Sequence, residues 1–142
     1  MKFTVDWEVY ETSDQHELIC QLAKELKGKA VIKDMNKFVN DVFQREQMAS
    51  TVITKNLAIP HVRSSNVVKG LIQIVKLKSP LTSWGECQGI DRLILTAVPE
   101  AMSPNEQQQC EQFFSELGNP AVLQLFSNGN QEEIIRYISG KR

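Results

Sequence analysis

Histidine is scarce in this chain, and several other absences narrow its chemistry further. There are two histidines, His16 and His61, among 142 residues. Two imidazoles without supporting carboxylates do not make a typical zinc site. The three cysteines, Cys20, Cys87 and Cys110, are an odd number with no CxxC spacing. That argues against a disulfide framework and against a thiolate metal centre. No GxGxxG, GxxxxGK(S/T), HExxH or GxSxG stretch occurs, so the common marks of nucleotide, zinc-protease and serine-hydrolase sites are missing. Lysine and arginine are nowhere clustered and the net charge is −1, which argues against a nucleic-acid surface held by bulk charge. No apolar run nears the roughly 18 residues of a membrane span. The opening MKFTVDWEVYE carries acids from Asp6 and lacks the apolar core of a signal peptide. The expectation is a reduced, cytoplasmic protein with no metal, no cofactor, no nucleic-acid partner and no membrane insertion.

What is present reads as one domain over residues 1–142, with 42% apolar and 23% charged residues, ordinary for a globular chain. A chain of this size can bury roughly two-thirds of its unfolded surface. Residues 3–10, FTVDWEVY, alternate as a strand. Thr12 and Ser13, with Gln15 placed for a capping box, open a helix over about 13–27. Its stripe is Leu18, Ile19, Leu22, Ala23 and Leu26, and Gly28 is placed to end it. Asp34 caps a second helix with the stripe Met35, Phe38, Val39, Val42 and Phe43. Arg45 and Glu46 fall in its last turn, where an arginine suits the negative end of the helix dipole.

After Ser50 the texture turns to strands. TVIT is β-branched, KN is a turn, and LAI is a short strand stopped by Pro60. GLIQIVKL at 70–77 alternates as a strand with one face more buried. IDRLILTAV at 90–98 is almost continuously apolar, as in a central strand covered on both faces. Ser103 and Pro104 open a helix with the stripe Cys110, Phe113, Phe114 and Leu117. Pro120 starts a short helix, and Asn130 caps a last one with Ile134, Ile135 and Ile138 inward. The order β-α-α-β-β-β-α-α-α predicts an α/β fold of three layers, a mixed central sheet with helices on both faces.

Few residues invite chemistry. His16 lies off its helix stripe and reads as solvent-facing. Cys20 and Cys110 sit on or beside core stripes, and Trp7 and Trp84 read as packing residues. Cys87, in a loop, is the one plausible reactive thiol, and no neighbouring cation in sequence lowers its pKa. His61 differs. It follows a strand end, where α/β proteins tend to place sites. Pro60 holds its own φ near −65° and drives Ile59 into an extended conformation, so the mount is stiff. A free imidazole titrates near pH 6.5, leaving a neutral nucleophile at cellular pH.

The stretch VFQREQMASTVITKNLAIPH, residues 42–61, resembles the signature of the enzyme IIA domains of the fructose/mannitol type in the bacterial sugar phosphotransferase system. Arg45-Glu46 ends a helix, Ser50-Thr51 follows, and Ala58-Ile59-Pro60-His61 closes a strand. The surrounding elements match as well. The resemblance implies that His61 accepts a phosphoryl group on Nε2 from phospho-HPr and passes it to a IIB component. It implies that Arg45 clamps the phosphoryl oxygens and that Ser50 and Thr51 supply hydroxyl donors. No metal or nucleotide is called for, because positioning and charge stabilisation do the work. The chain departs from the family at two places. Val62 stands where a small residue is usual. A second histidine is usual at the start of the helix after the central strand, and Gln107 stands there; an amide can donate a hydrogen bond but cannot become cationic. That substitution motivates the alternative, a IIA-like regulatory or protein-binding domain with weakened or lost transfer.

Overall fold

A computed structural model describes residues 1–141. The chain runs β1 (Lys2–Trp7), α1 (Gln15–Gly28), α2 (Met35–Met48), β2 (Leu57–Ala58), β3 (His61–Ser64), β4 (Leu71–Lys76), β5 (Arg92–Pro99), α3 (Pro104–Glu116), α4 (Pro120–Asn128) and α5 (Gln131–Ser139). The strands form one five-stranded mixed sheet in the order β1-β4-β5-β2, with β3 also paired to β5. β4 and β5 are antiparallel, while β1 on β4, and β2 and β3 on β5, are parallel. The fold is the expected three-layer α/β/α arrangement. Arg92 to Val98 of β5 are all buried, because helices cover both of its faces.

Two cores lie either side of the sheet. Leu18, Leu22 and Leu26 of α1 and Phe38 and Val42 of α2 pack on Val62, Leu71, Val75, Leu93, Leu95 and Ala97. On the other face Phe113, Phe126, Ile134 and Ile138 pack on Phe3, Leu57, Ile72, Ile74 and Ile94. The alternation along β5 follows from the period of two in a strand. Arg92, 8% exposed, is the charged exception; its Nη1 donates to the carbonyls of Phe126 and Gly129 at 3.2 and 2.7 Å, and its guanidinium lies 5.0 Å from the Trp7 ring centroid. Burial depresses its pKa.

The structure corrects several local expectations. Asp14, not Thr12 or Ser13, caps α1, because its carboxylate accepts the Glu17 N–H at 2.8 Å while Thr12 Oγ1 accepts from Asp14 N. Gly28 stays helical, and Ala30 takes the left-handed turn at φ 58°. The first strand ends at Trp7; Tyr10 leaves the sheet, is buried, and donates its hydroxyl to Glu25. β4 is buried on both faces rather than one. Ile135 is 41% exposed, since the helical turn between Ile134 and Ile138 carries it off the core face. TVIT makes a single bridge, Val52 to Ala58, rather than a strand. Finally, the chain does not leave the sheet at Pro60. The proline lacks an N–H but its carbonyl accepts from Thr96 N at 3.0 Å, and pairing with β5 resumes at His61. Among the described residues no helix is long and apolar enough to cross a membrane.

Candidate functional site

His61 opens β3, pairing with the central strand β5. Its neighbour Val62 points the other way and packs in the core under α1 and α2. A larger residue there fills core volume on the face opposite the imidazole. α2 ends close by, and from its last turn Arg45 Nε donates to His61 Nε2 at 3.0 Å. The same guanidinium donates from Nη1 to the Ala49 carbonyl at 2.9 Å, at the helix C-cap. On the other side of the ring, His61 Nδ1 lies 3.0 Å from the Ile59 carbonyl.

These two contacts assign the tautomer. An arginine N–H only donates, so Nε2 must present its lone pair. A carbonyl only accepts, so the proton sits on Nδ1. The imidazole is therefore neutral, with Nε2 as its nucleophilic atom and Nδ1 anchored to the backbone.

Ile59 is itself held. Its N–H donates to the Thr51 carbonyl at 2.9 Å. The Thr51 hydroxyl donates to Glu46 Oε2 at 2.6 Å, and Trp84 Nε1 donates to Glu46 Oε1 at 2.8 Å. The adjacent residues Arg45 and Glu46 thus work on different targets. Arg45 touches the imidazole, and Glu46 ties the helix end to the segment that carries Ile59. Sequence reasoning saw the pair but missed the role of Glu46 and Trp84, because their partners lie up to 38 residues apart.

A cleft of about 330 Å³ opens beside His61, between β3, β5 and α3. Gln107 lines it, with its amide donating to Glu111 Oε1 at 3.2 Å. Arg63 lines it too, two residues along the same strand face, with Nε and Nη2 donating to the Glu100 carbonyl at 3.2 and 2.9 Å. Thr96, Met102, Cys110 and Phe114 complete much of the wall. Burial, reinforced by the Glu111 carboxylate, raises the Cys110 pKa, so this residue stays a neutral thiol.

Ser50 and Thr51 are not among the residues lining this cleft. The Thr51 hydroxyl is committed to Glu46, and exposed Ser50 lines a separate cavity of about 410 Å³ with Phe43, Trp84 and Cys87. The Ser50 hydroxyl oxygen instead accepts from Val52 N at 3.2 Å. His16 is exposed, its ring centroid lies 5.5 Å from that of Phe43, and its Nδ1 lies 3.7 Å from Cys20 Sγ. Among the described residues no group of three or more His, Cys, Asp or Glu side chains is placed to hold a metal.

Residues 6–141 match the sequence model of the phosphoenolpyruvate-dependent sugar phosphotransferase system, EIIA 2. The chain belongs to the EIIA 2 family. This bears out the resemblance to IIA domains of the fructose/mannitol type, and it places the chain among the phosphoryl-transfer components of that system. The EIIA 2 domain is 33% identical over 118 residues to the transcriptional regulator ManR of Bacillus subtilis (strain 168), covering 80% of this chain and 17% of that protein. It is 28% identical over 97 residues to the 2-O-alpha-mannosyl-D-glycerate-specific EIIABC component of Escherichia coli (strain K12), covering 66% of this chain and 14% of that protein. The chain therefore spans a small part of the length of both relatives. Its fold is shared with nitrogen regulatory protein IIA-Ntr from Neisseria meningitidis, at a TM-score of 0.70 and 16% identity over 95% of this chain and 91% of that one. It is shared also with the mannitol enzyme IIA of Escherichia coli, solved in complex with phosphorylated mannitol enzyme IIB, at a TM-score of 0.65 and 13% identity over 95% and 94% of the two chains.

Proposed function

We propose that the domain is a cytoplasmic phosphoryl carrier that takes a phosphoryl group from phospho-HPr on His61 and passes it to a IIB component for sugar uptake. The observation that carries this reading is the contact between Arg45 Nε and His61 Nε2 on a ring whose Nδ1 is pinned to the Ile59 carbonyl. A hydrogen-bond donor on Nε2 marks the lone pair that attacks phosphorus. As the new N–P bond forms, the P–N bond of the donor phosphohistidine breaks, and its electron pair returns to the donor imidazole. The His61 ring gains positive charge, which strengthens the Nδ1–H bond to the Ile59 carbonyl. Arg45 leaves Nε2 and turns its guanidinium onto the phosphoryl oxygens, neutralising charge where it arrives. The group comes already activated on a histidine, so the step calls for no nucleotide or metal. Gln107, across the cleft, serves as an uncharged donor in place of a second imidazole.

A second reading has its own support. The similarity to the regulator ManR, together with Gln107 in the cleft, favours a regulatory domain whose phosphorylation state is read by another protein. One experiment separates them. The protein is incubated with labelled phosphoenolpyruvate, enzyme I and HPr, then with a IIB component. Acid-labile label that is lost in His61→Ala and moves on to IIB is the expected result. Label that stays on His61 and never reaches IIB favours the regulatory reading, and no label at all refutes phosphotransfer.

A further inference from the structure

Thr96 has a place in the carrier reading, and its role rests on that reading. His61 and Thr96 are register partners across β3 and β5, and paired residues in a sheet project from the same face. Both line the cleft. Thr96 is 3% exposed, and its Oγ1 is buried with no hydrogen-bond partner. Buried hydroxyls nearly always find one, so an orphan beside a nucleophile calls for an explanation. Its own side of β5 continues as Ile94 and Val98. A valine at position 96 would continue that apolar run with the same shape and leave no orphan.

The His61 ring does not supply the missing partner, since Nδ1 is engaged with the Ile59 carbonyl and Nε2 with Arg45. The other polar donors that line the cleft are directed elsewhere, Gln107 to Glu111 and Arg63 to the Glu100 carbonyl. Thr96 therefore holds an uncommitted donor proton inside the cleft, on the strand next to the nucleophile. Phosphorylation of Nε2 brings three anionic oxygens to this place. Arg45 approaches them from α2, and Thr96 approaches from the neighbouring strand.

We propose that the Thr96 hydroxyl donates a hydrogen bond to a phosphoryl oxygen of phospho-His61, a bond absent from the unphosphorylated protein. A bond formed in one state only shifts the equilibrium toward that state. Thr96 thus sets how tightly the domain holds its phosphoryl group relative to its donor.

The test uses the full chain as wild type, Thr96→Val and Thr96→Ser. Each is equilibrated with phospho-HPr regenerated from phosphoenolpyruvate and enzyme I, and the ratio of phosphorylated chain to phospho-HPr is measured. Thr96→Val should shift that ratio toward phospho-HPr by about tenfold, the size of one hydrogen bond to a charged oxygen, and Thr96→Ser should restore most of it. The unphosphorylated Thr96→Val protein should melt at or above the wild-type temperature, because the substitution removes an orphan group; a structural hydrogen bond would lower it. A Thr96→Val ratio within about twofold of wild type, or a clear fall in melting temperature, overturns the assignment. In either of those cases His61 still takes label and the carrier reading stands. If the wild type itself takes no label, the carrier reading fails and Thr96 falls with it.

Discussion

Truncating Glu46 tests the link between the helix that carries Arg45 and the segment that carries Ile59. In Glu46→Ala, Trp84 Nε1 loses an acceptor at 2.8 Å and the Thr51 hydroxyl one at 2.6 Å. The third contact, from Thr51 N at 3.4 Å, is long and adds little. Trp84 is 1% exposed and Thr51 3%, so both strong donors sit away from solvent. Leaving a buried donor unpaired costs about 1–3 kcal/mol, so the pair costs about 2–6 kcal/mol. Glu46 itself is half-buried and lines the cavity shared with Ser50. Water entering the vacated place draws the loss toward the lower half, about 3 kcal/mol. With about 2.1 cal/mol/K of unfolding entropy per residue, a chain of this size loses about 0.3 kcal/mol per degree, and the melting temperature falls by about 10 °C. Glu46→Gln keeps an acceptor for Trp84 and offers the Thr51 oxygen a donor, so it should lose less than half as much. Thr51→Val combined with Glu46→Ala should cost less than the sum of the two, since both remove the same bond. Thermal unfolding followed by circular dichroism and tryptophan fluorescence measures each variant. A Glu46→Ala melting temperature within about 3 °C of wild type would refute the anchoring role.

Two further outcomes are expected. Arg45→Ala should slow transfer from phospho-HPr by about tenfold or more while lowering the melting temperature by only a few degrees, about the worth of a helix-end cation. Rapid-quench labelling reads the rate, and an unchanged rate would leave Arg45 its helix-end role alone. Glu116 is held below its ordinary carboxyl pKa of 4.5, first by the Lys141 ammonium and then by the Tyr137 hydroxyl. A folded pKa below the unfolded one stabilises the protein above the ordinary value, and that contribution is lost as pH falls through the lowered one. The stability gap between wild type and Glu116→Gln should therefore be full near neutral pH and close on acidification below about pH 4. Urea titrations at a series of pH values measure it, and a gap that widens in acid would contradict the assignment.

Much of the fold was legible because it rests on local periodicity. The stripes of α1 and α2, the Ser103-Pro104 opening of α3, the Asn130 cap of α5 and the apolar run of β5 all appear where spacing placed them. The misses have local physical causes. Asp14 outcompeted Thr12 and Ser13 as a cap because a carboxylate one residue later reached the Glu17 N–H. The strand through His61 was hidden because Pro60 interrupts it, and only the β5 partner allows pairing to resume.

By itself, the sequence determined the type of each element and the kind of chemistry His61 can perform. A proline fixes a dihedral, a stripe fixes a face, and an imidazole carries its lone pair wherever it goes. The tertiary structure alone decided who stands beside that ring. Arg45 lies 16 residues upstream and reaches His61 Nε2, while Thr51, only 10 positions away by number, turns its hydroxyl to Glu46 instead. Thr96 arrives next to the histidine through strand register, which neither residue encodes alone. Hydrogen bonds are settled within about 3 Å, and that distance follows from how whole faces pack rather than from the spacing of letters along the chain.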